Sequence, residues 1–80
     1  MNEEVFSFIN QFVQENDYIK RDITKEDGLK NDIGLDSLGV LTLADALEEE
    51  FEISIEFEDL TETPETVNDL IKLIEQKKEA

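Results

Sequence analysis

The stretch GLDSLGVLTLADALEEEF, residues 34–51, is the most strongly helical part of the chain and decides its fold. Asp36 is well suited as an N-cap, because its carboxylate can accept a backbone N–H of the first helical turn. The pattern predicts a helix that begins at Asp36 or Ser37 and ends near Glu50. At about 100° per residue, one apolar face is expected to contact the core. That face consists of Val40, Leu43, Ala44, Leu47 and Phe51.

The opposite face of this helix combines apolar and acidic side chains. Leu38 lies beside Ser37 on the outward side, and acids follow it along the helix. Single exposed leucines are common on protein surfaces, so this pattern by itself is only weakly informative. The outward set consists of Leu38, Thr42, Asp45 and Glu49, with Leu41 and Glu48 on one flank.

Two further helices flank this segment, and together they predict an all-α fold. Residues 2–15 form an amphipathic first helix. Its apolar stripe consists of Val5, Phe8, Ile9, Phe12 and Val13. A final helix is expected after Pro64. Thr66 is suited as its cap, and Asp69, three residues later, completes a capping-box-like pair. The tail QKKEA is expected to fray. Its buried face consists of Val67, Leu70, Ile71 and Ile74.

The segments between the helices lack a helical period. A long first loop, residues 16–34, is rich in turn formers and is anchored by scattered apolar residues. Those anchors are Tyr18, Ile19, Ile23, Leu29 and Ile33.

The segment FEISIEF, 51–57, alternates like a strand but has no partner strand, so we interpret it as an extended connector. We expect its four apolar residues to insert into the core, with a short helical turn near Phe57–Leu60. These four are Phe51, Ile53, Ile55 and Phe57. The prediction is a small three- to four-helix bundle with a long first loop.

The composition excludes several classes of function. Eighty residues predict a single domain, 1–80. Without cysteine there is no thiolate chemistry, and without histidine the commonest neutral-pH acid/base and the commonest zinc ligand are absent. No EF-hand spacing or glycine-rich phosphate loop occurs, so neither catalytic nor metal-binding residues are expected, and the chain is not predicted to be an enzyme. No signal peptide or membrane span is apparent, which predicts a cytoplasmic protein without membrane insertion.

The charge balance constrains the partners. The chain has 7 basic and 22 acidic residues, a formal net charge of -15. Such a surface repels nucleic acid and attracts basic protein surfaces. We expect a monomer that binds no nucleic acid.

Ser37 is the candidate for covalent modification. A hydroxyl in the first turn of a helix faces free N–H groups and the positive end of the helix dipole, so a phosphate ester is favoured there. The Asp36 carboxylate repels that charge, so we expect the phosphate to point outward.

Three motifs resemble the acyl carrier protein family: D-I-G-L-D-S-L at 32–38, A-L-E-E-E-F at 46–51 and T-V-N-D-L-I at 66–71. The resemblance covers most of the chain. It implies that Ser37 carries a 4′-phosphopantetheine arm, attached from coenzyme A by a separate phosphopantetheinyl transferase. The terminal thiol of the arm would hold an acyl group as a thioester, which would account for the missing cysteine.

The resemblance also implies that the second helix docks acyl-loading and acyl-processing enzymes through their basic patches. The docking residues would be Asp36, Leu38, Leu41, Thr42, Asp45, Glu48 and Glu49. The chain departs from the usual fatty-acid pattern, in which acids are common at positions 39 and 42, an apolar residue occupies position 45 and a small residue occupies position 35. The departures are Gly39, Thr42, Asp45 and Leu35.

The predicted function is a carrier that presents acyl intermediates in fatty-acid, polyketide or related biosynthesis, and an aminoacyl cargo is a further possibility left open by the departures. The alternative is a non-covalent acidic helical adaptor, or a nucleic-acid mimic that binds a basic protein groove. The adaptor uses the same charge but does not need Ser37.

Overall fold

The computed structural model describes residues 2–62 and 64–79, and it shows a bundle of helices. No strand occurs within these residues; a single antiparallel bridge pairs Gly28 with Thr66. The prediction of an all-α bundle is therefore confirmed. In the same residues no helix is long and apolar enough to cross a membrane. The helices are α1 Asn2–Glu15, α2 Ser37–Phe51, α3 Phe57–Glu62 and α4 Val67–Glu79.

The core lies where α1, α2 and α4 meet, and α1 packs directly against α4. Each of these helices buries the apolar stripe that its period predicts, because the stripe gathers apolar side chains on one face while most other positions are polar or charged. Phe8 and Phe12 lie at the edge of the core; the ring of Phe8 meets that of Phe51 edge to face, with centroids 5.9 Å apart. The fully buried members of the three stripes include Val5, Ile9, Val13, Leu43, Leu47, Leu70, Ile71 and Ile74.

The long first loop is ordered because it supplies the hydrogen bonds that the start of α4 lacks. The first backbone N–H groups of any helix have no partner within the helix. Here Val67 N donates to Asp27 O and Asn68 N donates to Lys25 O, both at 2.9 Å. Thr66 and Asp69 close the predicted capping box, with Asp69 N donating to Thr66 Oγ1 at 3.2 Å and Thr66 N to Asp69 Oδ2 at 3.3 Å. The loop and α4 therefore hold one another in place.

A charged pair braces the turn that carries these loop carbonyls. The Arg21 guanidinium donates to both oxygens of Asp27, at 2.9 and 3.0 Å, and Thr24 N donates to Asp27 Oδ2 at 2.8 Å. The hydrogen bond from Arg21, followed by the one from Thr24, lowers the pKa of the Asp27 carboxyl group below its usual range. Ionised Asp27 thus fixes the turn that caps α4.

The loop is also anchored to the core through its apolar side chains. Three of the predicted anchors, Ile23, Leu29 and Ile33, are buried, and Tyr18 and Ile19 are half-buried against the core. The prediction of a structured loop is confirmed.

Two expectations were wrong. Phe57 does not insert into the core; it is 68 % exposed at the first position of α3, although Ile53 and Ile55 do pack against the core. The tail does not fray over residues 76–79, which remain helical, whereas Ala80 lies outside the described residues. Lys78 Nζ donates to Phe51 O, the last carbonyl of α2, at 3.0 Å. This hydrogen bond links the last turn of α4 to the end of α2.

The Arg21–Asp27 pair predicts an acid-sensitive stability. A carboxyl group with a lowered folded-state pKa stabilises the fold above the ordinary aspartate range, about pH 4, and this contribution is lost as the pH falls through the folded-state pKa. We expect Asp27→Asn to lower the free energy of unfolding at pH 7, with a difference from the parent that shrinks as the pH falls below about 4. Urea unfolding of both proteins at a series of pH values from 7 to below about 4 measures this difference in the free energy of unfolding.

Glu26→Gln is the matched control, because Glu26 is the exposed neighbouring acid and the variant carries the same change in net charge. Equal behaviour of the two variants would contradict a specific role for Asp27.

Candidate functional site

Asp36 caps α2 as predicted, and this cap fixes the position of Ser37. The Asp36 backbone is extended, with φ -89° and ψ -176°, and its Oδ1 accepts a hydrogen bond from Gly39 N at 2.7 Å. Asp36 O accepts the first helical bond from Val40 N at 2.9 Å. Ser37 is the first residue of α2 and is exposed to solvent. Its hydroxyl is therefore presented at a defined helix start.

The residues before Asp36 turn the chain into the helix. Gly34 has φ +92°, a conformation that residues with a side chain rarely adopt, so glycine is required at this turn. Leu35 follows it and is 2 % exposed, with its N–H donating to Leu29 O at 2.9 Å. Leu35, a departure from the usual family pattern, is thus the core anchor immediately before the site.

Gly39 is buried and lies where the first turn of α2 passes very close to the loop. A Cβ at this position would lie 2.9 Å from the Tyr18 hydroxyl oxygen, 3.1 Å from Leu35 Cδ2 and 3.2 Å from Asp36 Oδ1. Contacts this short force neighbouring atoms to move. Tyr18 is itself held by stacking on the ring of Phe12, with centroids 6.5 Å apart. Tyr18 and Leu35 therefore crowd the space that a Cβ at residue 39 would need.

The outward face of α2 carries the predicted docking residues. Leu38 is 71 % exposed and Leu41 is 38 % exposed. Thr42, whose Oγ1 donates to Leu38 O at 2.9 Å, is exposed, as are Asp45 and Glu49. At 1.5 Å per residue, Asp45 and Glu49 lie roughly 10 Å and 16 Å along the helix from Leu38. The face is thus apolar beside Ser37 and acidic farther along.

Glu48 differs from the other acids of this face because its carboxylate accepts a hydrogen bond from the backbone of the same chain. Its Oε2 accepts a hydrogen bond from Ile55 N at 2.8 Å, and its carbonyl accepts one from Ile53 N at 3.1 Å. Glu48 is half-buried and ties the connector after α2 to the helix. Its side chain is less free to meet a partner than that of Glu49.

The arrangement can present a nucleophilic hydroxyl but offers it little local chemistry. The carboxyl groups with a lowered pKa are Asp22, Asp27 and Asp59, in the loop and in α3, and each is stabilised by hydrogen bonds from neighbouring side chains. Among the described residues no cluster of His, Cys, Asp or Glu could hold a metal ion. A helix start nevertheless favours a covalently attached phosphate, because the dipole and the first N–H groups stabilise negative charge. An exposed Ser37 therefore fits a phosphopantetheine ester.

Comparison with known proteins agrees with this geometry. The family model described as the phosphopantetheine attachment site matches residues 9–74, which include the capped start of α2. The chain belongs to the acyl carrier protein family.

Curated relatives support the same membership. An acyl carrier protein from Exiguobacterium sp. is 45% identical over 56 residues, which is 70% of this chain and 70% of the relative. One from Exiguobacterium sibiricum is 44% identical over 54 residues, 68% of this chain and 67% of the relative. One from Sulfurovum sp. is 42% identical over 72 residues, 89% of this chain and 95% of the relative.

Membership establishes the class of chemistry. The cofactor of this carrier is 4′-phosphopantetheine, and acyl carrier proteins are carriers that do not catalyse the reactions of their cargo. The expectations for the cofactor and for a non-enzymatic role are confirmed by the family.

The roles of two residues, one in the site and one beyond it, were not predicted from the sequence. Gly39 was noted only as a missing acid, although a glycine inside a strong helix is a signal of close backbone approach. Phe57 was assigned to the core because alternation alone does not show which side of a connector meets another element.

Proposed function

We propose that Ser37 carries the phosphopantetheine arm and that the chain, as a single carrier domain over residues 1–80, tethers acyl intermediates on it as thioesters. The observation that carries the proposal is the exposed Ser37 at the capped start of α2. Arm attachment joins the Ser37 oxygen to the phosphorus that bears pantetheine, and the bond from that phosphorus to the rest of coenzyme A breaks. A separate transferase supplies the catalytic groups.

The other serines of the chain fit this role less well. The chain has three serines, Ser7, Ser37 and Ser54. Ser7 lies within α1 and precedes the matched family segment, and Ser54 lies in the extended connector after α2. Neither stands at a helix start, so neither benefits from the helix dipole.

The first experiment measures covalent loading. Incubation with coenzyme A and a broad-specificity phosphopantetheinyl transferase should add one phosphopantetheine to the intact mass. Ser37→Ala should abolish this gain, whereas Ser7→Ala and Ser54→Ala should keep it. Retained loading of Ser37→Ala would contradict the proposed attachment site. Absence of any gain in the parent chain would instead favour a non-covalent acidic adaptor.

For docking, we infer that partner enzymes approach α2 with an apolar patch near the arm and basic residues farther along. Leu38 and Leu41 are exposed close to Ser37, and Asp45 and Glu49 are exposed beyond them. The proposed partners are the phosphopantetheinyl transferase and the enzymes that load and process the acyl group, in fatty-acid, polyketide or related biosynthesis. Long-range attraction of basic patches by a net charge of -15 speeds encounter, while few apolar contacts keep release fast.

The docking proposal predicts a salt-sensitive reaction. The KM of the transferase for this carrier should rise as ionic strength increases from about 0.01 M to 0.15 M, because the Debye length falls from about 30 Å to about 8 Å. The double variant Asp45→Asn, Glu49→Gln should raise KM at low salt and weaken its salt dependence.

A double variant with the same charge change, Glu26→Gln with Glu79→Gln, places the loss on the first loop and at the end of α4. It should change KM less than the α2 variant. Equal effects of the two would show that only total charge matters, which contradicts docking on α2.

A further inference from the structure

Phe57 is a large apolar side chain left outside the core. It is 68 % exposed at the first position of α3. Burying a phenylalanine ring stabilises a fold, so leaving this ring in solvent forgoes a favourable contribution. Among the residues whose side chains the structure describes, the exposed large apolar residues are Leu38, Leu41 and Phe57. Two of these belong to the proposed docking face, and the third lies beyond the end of α2.

Hydrogen bonds fix the first turn of α3, in which Phe57 is the first residue. Glu56 N donates to Asp59 Oδ2 at 2.8 Å and Asp59 N donates to Glu56 O at 3.0 Å, which closes the first turn of α3. Lys77 of α4 pairs with the same Asp59 oxygen at 2.9 Å. Phe57 is therefore positioned by α4 through Asp59.

The position of Phe57 is also linked to α2. The connector before α3 is tied to α2 where Ile55 N donates to Glu48 Oε2 at 2.8 Å, two residues before Phe57. Glu48 lies roughly 16 Å along α2 from Ser37 at 1.5 Å per residue, and the Glu48 side chain, its 2.8 Å hydrogen bond and two extended residues together add at most about 15 Å. A standard interface covers about 800 Å² on each partner, a patch roughly 30 Å across. One partner over Ser37 can therefore reach Phe57.

The charge around Phe57 indicates which kind of partner covers it. The residues on either side in the chain are Glu56 and Glu58, the nearby cation Lys77 is already paired with Asp59, and the whole chain carries a net charge of -15. A second copy would bring the same negative charge to the contact, and like charges facing one another are unfavourable. A surface with lysine or arginine around an apolar pocket complements both the ring and its surroundings.

We infer that Phe57 is a second apolar anchor for partner enzymes, which bind its ring in an apolar pocket rimmed by basic residues while they contact α2. The inference rests on the proposed carrier function and extends the docking face from α2 onto α3. Aromatic residues are frequent among the few interface side chains that dominate binding energy, which makes the ring a strong anchor.

The test measures steady-state loading of the carrier by a broad-specificity phosphopantetheinyl transferase with coenzyme A. Phe57→Ala should raise KM for the carrier about tenfold with kcat unchanged, because a contact used for binding is lost. Phe57→Leu should retain most of the affinity. Gln76→Ala, an exposed position of α4, is the control and should leave KM unchanged.

Thermal unfolding and sedimentation distinguish a lost partner contact from a destabilised fold and from a dimer of this chain. The unfolding temperature of Phe57→Ala should match that of the parent, because the ring is exposed. A KM within twofold of the parent, or a raised KM with a lowered unfolding temperature, would overturn the inference. A parent dimer that Phe57→Ala dissociates would also overturn it, in favour of a second copy. If the parent is loaded and Phe57→Ala is loaded equally well, the carrier function stands and only the anchor fails.

Discussion

The site depends on the absence of a side chain at residue 39. Because Gly39 has no Cβ, the first turn of α2 can approach the Tyr18 hydroxyl and Leu35 closely. Together with the Asp36 cap, whose carboxylate accepts from the Gly39 N–H at 2.7 Å, these contacts hold the start of α2 and therefore the place where Ser37 is presented. The long loop brings Tyr18 to this point, and its own order depends on the hydrogen bonds it gives the start of α4.

The surface of α2 is divided along its length. Gly39 is buried and Thr42 is uncharged, so the first turns of the helix carry no acid, and Leu38 and Leu41 are exposed beside Ser37. Acids resume at Asp45. As an acyl carrier protein, the chain takes its reactive group from a covalent cofactor, 4′-phosphopantetheine. Its contribution is to hold a cofactor at a fixed point and to offer enzymes a surface they can bind and leave.

Periodicity predicted most of this fold, because α1, α2 and α4 each bury one apolar stripe, and α2 and α4 also begin at recognisable cap residues. The Asp36 and Thr66 caps were predicted from local chemistry and are present. What the pattern could not predict depends on contacts between distant segments. Lys78 orders the tail through Phe51 O, 27 residues away, and Phe57 is exposed because α3 starts at that residue.

The most direct test of this account is the free energy of unfolding of Gly39→Ala, measured in the parent and in a Tyr18→Phe background. Alanine is normally better than glycine in a helix by about 1 kcal/mol. The close packing predicts the opposite sign, a loss of about 1 kcal/mol in the parent, and a smaller loss once the Tyr18 hydroxyl is removed. A gain in stability for Gly39→Ala, equal in both backgrounds, would contradict the claim that this contact fixes the start of α2.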